Sequence, residues 1–517
     1  MGHHPSRRDI IRSIPVLAGG TVLAPLTGQQ RQSYPRAVIR GTVTEKGTGK
    51  PVAAKLRITE SNRNQIFVPE NAVKTMPDRR HYFYARGSYE VALPAGRYRV
   101  EAVRGICHEV AAEYTEVGPG ITHTVNLEIP PLKDMRGAGW YSGNTHTHYH
   151  VEIDENPDDR LRIVPPAEDL DVSVISYLIR GDSPYITNKY RIGRLPEFSR
   201  DGTLIDMGEE ARNNRTFGEF GYGHCLFLNI PRAIEPVSTG LLALDPAAPD
   251  YPTLSMLCEE VRQLKGTVVW CHNGSGMEAP VAAVLGLMNA YNVADGLDAD
   301  YPRYYKLLNT GLEIPLSTGT DWWIYDHNRV FVQTEGPFTY DSWIAGLRAG
   351  RTFVSNGPLI ELTVDGQGPG AKVAVPSGRA RVAASLLSRI PVERIEIVVN
   401  GEIVADQPAA GGREVRLERD IEITESGWIA ARTSGGPKTF AGFHPFAHTG
   451  PVYVRVPGTS HRRAEAIGSL MDELSRSMRT IAKSFRFRND AERALAVGKF
   501  EQARRAYGNL LLGTEQG

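Results

Sequence analysis

Gly139-Trp140-Tyr141-Ser142-Gly143-Asn144-Thr145-His146-Thr147-His148-Tyr149-His150 carries a histidine at every second position from 146 to 150. Along an extended chain, successive side chains alternate between two faces, so His146, His148 and His150 project to one side. Neutral imidazoles on one face suit a transition-metal site, because each offers a lone pair and none brings a charge to bury. A packed apolar core would not gather three of them without partners. The pair His146 and His148 reads as metal ligands, with His150 a further candidate if the strand runs that far.

Outward from this motif, residues 133–357 alternate strand-like apolar runs with helical stretches. DVSVISYL, HCLFLNI, GTVVWCH, IPLSTGTD and RVFVQT have the look of buried strands, and YPTLSMLCEEVRQLKG and APVAAVLGLMNAYNVADG of helices. That is an α/β pattern. Several strands end in polar residues, which is where barrel-type α/β folds place their chemistry. Glu209 and Glu210, then His224, His272 and Asp321, stand at such ends. Carboxylates mixed with imidazoles suit Zn, Mn or Fe, and one carboxylate can bridge two ions. Taken singly, each of these is as well read as a core histidine or a helix-capping acid.

The flanks differ. Residues 34–132 hold short period-two runs (RAVIRGTV, AAKLRIT, GSYEVAL, GRYRVEAV, THTVNLEI) divided by turn residues, which predicts a small β-sandwich. This segment resembles the transthyretin-like carboxypeptidase-regulatory module. Residues 358–458 return to short strands and read as a second β-sandwich. Residues 459–517 form a helical tail similar to a single tetratricopeptide-like pair, which cannot make a solenoid and is expected to pack on the body. Residues 1–33 join a basic start containing Arg7-Arg8 to the short apolar stretch Ser13–Gly28. That is the shape of a twin-arginine-type signal, and predicts a protein exported to the periplasm or secreted. The plain alternative is a disordered tail with a chance arginine pair.

Composition bounds the rest. A chain of 517 residues allows about three domains. Lys+Arg and Asp+Glu are both 59, which argues against a nucleic-acid-coating protein or a polybasic membrane binder. No run beyond the N-terminus is long enough to span a bilayer. Only 4 cysteines occur and none form a CxxC, which excludes a disulfide-built scaffold, argues against a zinc ribbon and leaves room for one disulfide. The partner expected is a small-molecule substrate, with no nucleic acid and no membrane insertion once the signal is removed.

GWYSGNTHTHYH, GEEARNN…GYGHCLFLNI, GTVVWCHNGSGMEAP, YYKLLNTGLEIPLSTGTDWW, GLRAGRTFVSNGP and FAHTGPVYVRV together resemble the CehA/McbA (carbaryl-hydrolase-like) family of PHP, or polymerase-and-histidinol-phosphatase, metallohydrolases. The resemblance implies a PHP-type distorted (β/α)7 barrel flanked by the two β-sandwiches. It implies a metal set of His146, His148, Glu210, His224, His272 and Asp321. The family's Asp-Leu before the HxH is replaced here by Asn144-Thr145, its Thr-Asp-His after the next strand is missing, and Trp322-Trp323 follow Asp321. One or two divalent ions are therefore expected, not three. Glu168, Asp182, Glu209 or His150 could fill the gaps, although none fits the family's motif.

The chemistry expected is hydrolysis of an ester, carbamate or amide by water whose pKa a metal lowers to about 7. A phosphoester is the alternative substrate, and a catalytically degenerate barrel serving as a binding protein is the alternative class. Asp321 is the expected general base. Lys189 and Arg180 are candidates for holding an oxyanion, or else belong to a surface loop. Trp322, Trp323 and Tyr325 either wall the pocket or pack at its rim. Glu278 either orients His272 from behind or caps the helix that begins near Pro280.

Overall fold

The structure, a computed structural model, describes residues 36–75, 81–149, 156–180, 185–214, 221–243, 245, 247–296, 298–321, 328–439 and 442–513. The signal-like residues 1–33, together with His150, Asp182, Trp322, Trp323 and Tyr325, lie outside the described residues.

At the N-terminal end, period-two patterning becomes two sheets facing one another. Ser88–Leu93 alternates exposed and buried side chains without a break. It pairs antiparallel with Ala37–Glu45, which also takes Thr122–Thr124 and Leu127–Ile129 in parallel. Ala53–Glu60, Phe83–Arg86, Gly96–Val103 and Ala111–Val117 build the opposing sheet. Ile39, Leu56, Ile58, Val91, Tyr98 and Val100 fill the space between.

The middle of the chain departs from expectation. Trp140–Asn144, Val172–Tyr177 and Leu204–Asn214 are parallel neighbours. Leu204–Asn214 then pairs antiparallel with Gly223–Leu228, and that strand antiparallel with Thr267–Trp270. Ala290–Asn292 and Leu316–Ser317 follow in parallel. On its other edge Trp140–Asn144 meets Arg329–Gln333 antiparallel, and Thr352–Ser355 and Phe446–Thr449 continue from there. Among the described residues these strands belong to one mixed sheet of 17 strands. It curls far enough for Thr147 to bridge Asp321.

The expected PHP-type (β/α)7 barrel, with its regular strand–helix alternation, is therefore corrected to a β-rich fold on a large curled mixed sheet. The physical reason lies in the connections. A parallel neighbour needs a crossover of about a dozen residues or more, usually through a helix. Leu204–Asn214 is followed at once by Gly223–Leu228, so that pair can only reverse direction. The run 279–296, which reads as one helix, contains the short helix Ala279–Val284 and then the strand Ala290–Asn292. The sheet also continues beyond residue 357. Arg394–Val399, Gly427–Ser434 and Val452–Arg455 extend it, while Leu359–Val364, Arg379–Leu387 and Glu414–Glu422 form a separate sheet of three strands. Leu362, Val382, Ile397, Leu417 and Ile429 share the core there.

The tail is a pair of helices, Ala464–Ser484 and Asp490–Leu512. Asn489 caps the second by accepting from the Glu492 amide at 2.9 Å, and Gly513, at φ 73°, ends it. Phe500 and Tyr507 are buried in the core that holds the central strands, and the Tyr507 hydroxyl donates to the Pro280 carbonyl at 3.0 Å. The pair is thus fastened to the helix that follows His272. Among the described residues, no helix is long and apolar enough to cross a membrane.

Phe500→Ala would open a cavity where the tail meets the body. We expect it to lower stability by about 3–5 kcal/mol, read as a drop in thermal or denaturant midpoint. An unchanged midpoint would show that the tail contributes nothing to the core.

Candidate metal centre

Asn144 holds the motif in place. Its Oδ1 accepts from the His146 amide at 3.1 Å and the Thr320 amide at 3.2 Å, and its Nδ2 donates to Thr320 Oγ1 at 2.8 Å. The Thr145 hydroxyl donates to the Thr318 carbonyl at 3.0 Å. The 144–148 run is thereby stitched to the 318–321 run, and the closeness leaves no room for a side chain at Gly319. A Cβ there would stand 2.4 Å from His146 Cβ.

Six side chains separated widely in sequence converge on this point. His146 Nε2 and His148 Nε2 are 3.0 Å apart. Glu210 Oε2 is 2.9 Å from His148 Nε2, and Asp321 Oδ1 is 3.3 Å from His146 Nε2. The other Glu210 oxygen, Oε1, is 2.9 Å from His224 Nδ1, and His272 Nε2 is 3.2 Å from that same His224 nitrogen. Glu210 thus spans two groups, one of His146, His148, Glu210 and Asp321 and one of Glu210, His224 and His272. All six residues are buried. The metal set implied by the sequence is brought together whole.

The donor set fits a cation. His146 Nδ1 faces Asp295 Oδ1 at 2.9 Å, and His148 Nδ1 faces the Ser176 carbonyl at 3.1 Å. With both rings neutral, a ring N–H donated to each of those acceptors turns both Nε2 lone pairs towards one another, as metal ligands require. Lone pairs and carboxylate oxygens massed in a dry pocket repel unless positive charge stands among them. These buried groups can hold a metal ion.

The titration behaviour follows from the same crowding. Burial works against a charged His146, but the neighbouring Asp295 and Asp321 outweigh it and raise its pKa well above the ordinary value. Burial likewise opposes ionisation of Glu210, yet hydrogen bonds and charge from His146, with help from His148 and His224, hold it well below the carboxylate range. Burial pushes Asp321 up. It drives His224 down to about 4. Asp295, against burial, is held down at about 2 by His146 and His272.

Asp295 was not visible as a site residue in the sequence. Besides orienting His146, its Oδ2 accepts from the His272 amide at 3.1 Å. One carboxylate therefore sets the position of two imidazoles. It follows the strand Ala290–Asn292 with a left-handed backbone, φ 48°, and His272 and Asp321 share that unusual conformation at φ 54° and 57°. Such strain outside glycine concentrates where the surrounding structure imposes it for function. Arg212 was also missed. It lies two residues after Glu210 and is registered opposite His224.

Other sequence candidates go elsewhere. Adjacent residues on a strand face opposite ways, so Glu209 points away from Glu210, accepts from the Ile234 amide at 2.7 Å and is pushed up to about 8 by burial. Glu168 pairs with Lys55 at 2.9 Å and accepts from the Tyr84 hydroxyl at 2.9 Å. Lys189 Nζ pairs with Asp158 at 2.7 Å and is half exposed. Arg180 acts electrostatically on Tyr185, whose ring lies 5.2 Å from that of His148. Glu278 turns its carboxylate to a helix end. It accepts from the Ser255 amide at 3.0 Å and from its hydroxyl, so it caps the N-terminus of the neighbouring helix Leu254–Gln263. Cys271 is buried beside His146, and burial raises its thiol well above the ordinary value; with His146, His272 and Asp295 it forms a third group whose ligand atoms lie within 4.8 Å of one another.

No protein-family model matches the chain. No curated protein matches it. Among solved structures it is similar to a minor pilin of Streptococcus agalactiae, at 15% identity and TM-score 0.16, over 19% of this chain and 45% of that one. It is also similar to a glycosyl hydrolase family 2 member from Bacteroides cellulosilyticus, at 12% identity and TM-score 0.21, over 79% of this chain and 60% of that one. The chain thus spans less than two thirds of either. At these scores neither likeness bears on the site.

Glu278 offers a pH test of the packing behind the site. Burial raises its pKa from 4.5 to about 7. An acid raised on folding gives stability that is complete below pH 4.5 and lost as pH rises through 7. Glu278→Gln removes that titration. Relative to the variant, the parent should lose up to about 3 kcal/mol between pH 4 and pH 8, measured by denaturant unfolding at each pH. A constant difference would place the carboxyl in water.

Proposed function

We propose that this chain is an exported metal-dependent hydrolase that cleaves an ester, carbamate or amide at the centre built by His146, His148, Glu210, His224, His272 and Asp321. The observation that carries this reading is the placement of Glu210, whose two oxygens face two separate sets of imidazoles. That arrangement suits one or two divalent ions, with Zn, Mn or Fe favoured by mixed nitrogen and oxygen donors. The arginine pair Arg7-Arg8 supports the export. The motifs shared with CehA/McbA-type hydrolases favour a carbonyl centre.

A divalent ion held here supplies Lewis acidity and brings the pKa of water towards about 7. The chain's own groups divide the remaining work. Asp321 is the proton acceptor: its Oδ1 faces both His146 and His148, at 3.3 and 3.6 Å, and burial makes it more basic than a solvated carboxylate. Asp295 fixes the ring of His146 and the backbone of His272, so the donor atoms need not reorganise during reaction. Burial of all these groups strengthens each charge interaction among them.

The test is metal analysis of the protein purified through its native export route, together with turnover on a panel of aryl esters, carbamates, amides and phosphoesters. The parent should carry up to two transition-metal ions per chain and turn over a carbonyl substrate. His146→Ala with His148→Ala should remove both metal and turnover while the fold is retained. Turnover surviving in that double variant would overturn the mechanism.

A further inference from the structure

Arg212 stands out in this pocket because its charge is buried and largely unspent. It is 4% exposed. Among the described residues its Nε and Nη2 have no hydrogen-bond partner. Glu210 Oε2 lies 4.0 Å from Arg212 Nη1, beyond hydrogen-bond reach. A buried guanidinium whose donors are unmet is costly, and an acceptor arriving from outside would relieve that cost.

Its position says what that acceptor meets. Residues two apart on a strand share a face, so Arg212 and Glu210 project from Leu204–Asn214 to the same side. Arg212 is also the registered cross-strand partner of His224. The fork therefore stands beside the carboxylate and the imidazole that define the second donor group. Tyr185, 5% exposed and next to His148, feels the charge of Arg212, Glu210 and Asp321 together. A cationic fork and a phenol thus lie close to the donor groups.

We infer that Arg212 is an anion-binding residue that selects substrates bearing an oxyanion, a carboxylate or a phosphoryl group, close to the bond that is cleaved. This deepens the hydrolase reading and rests on it. A planar guanidinium whose Nε–Nη2 edge is unmet pairs two oxygens of such a group at once, in a bidentate geometry that an ammonium does not offer. The site is thereby tuned against neutral aryl esters of similar size, which would leave the fork unmet.

The test is isothermal calorimetry with inorganic phosphate and, separately, acetate, on metal-loaded and on chelator-treated full-length protein, with metal content measured for each sample. The parent should bind at least one of the two anions. Arg212→Gln should weaken that binding by at least about tenfold while metal content is unchanged. If Arg212→Gln does not fold, Arg212→Lys carries the test. It keeps the charge and loses the fork, and should still weaken the bound anion by roughly threefold or more. Tighter phosphate than acetate assigns the phosphoryl source, and the reverse order assigns the carboxylate. Absence of anion binding to the parent, or equal affinity in the parent and the folded variant, would overturn the inference. Failure of the hydrolase reading shows separately, as a parent that holds no metal and turns nothing over.

Discussion

Glu210 is placed so that one carboxylate answers two sets of imidazoles, and the surrounding architecture serves that placement. An ionised side chain in a dry interior is tolerated only when opposite charge and hydrogen bonds meet it. Here His148 and His224 stand at 2.9 Å from its two oxygens. Asp295 and Asp321 add two further acids to the same pocket. These buried acids and imidazoles can hold a cation among them.

The curled sheet is what makes such crowding possible. Side chains that are neighbours in the pocket come from residues as far apart as 146 and 321, joined by the Thr147–Asp321 bridge and by the Asn144 clamp. Behind them, Glu278 fastens one helix end, and Tyr507 ties the terminal helix pair to the Pro280 turn. The left-handed backbone at His272, Asp295 and Asp321 is the local strain that this convergence imposes.

Much of the site could be read from residue order. Period-two spacing put His146 and His148 on one face, acids or imidazoles after apolar runs marked Glu209, Glu210, His224, His272 and Asp321, and the family resemblance singled out Glu210. Asp295 escaped because it sits at the end of the run 279–296, whose apolar content reads as one helix although a short strand ends just before it. Arg212 escaped because a lone arginine in EEARNN has no motif. Its signal was its two-residue offset from Glu210, which on a strand means a shared face. The fold was less legible. Alternating strand-like and helix-like runs suggested a barrel, but pairing direction is set by how much chain lies between strands, and the short link after Asn214 forces an antiparallel turn. The sandwich at the N-terminal end was legible, because strict alternation in runs such as Ser88–Leu93 needs no long-range information.

The most direct check is a crystal structure of the protein grown with zinc, with anomalous difference maps collected on both sides of the zinc edge. The account predicts a peak ligated by His146 Nε2, His148 Nε2, Glu210 and Asp321, and allows a second on the far oxygen of Glu210 beside His224 and His272. Maps without a peak among these residues, at saturating zinc and with the imidazoles turned apart, would contradict it.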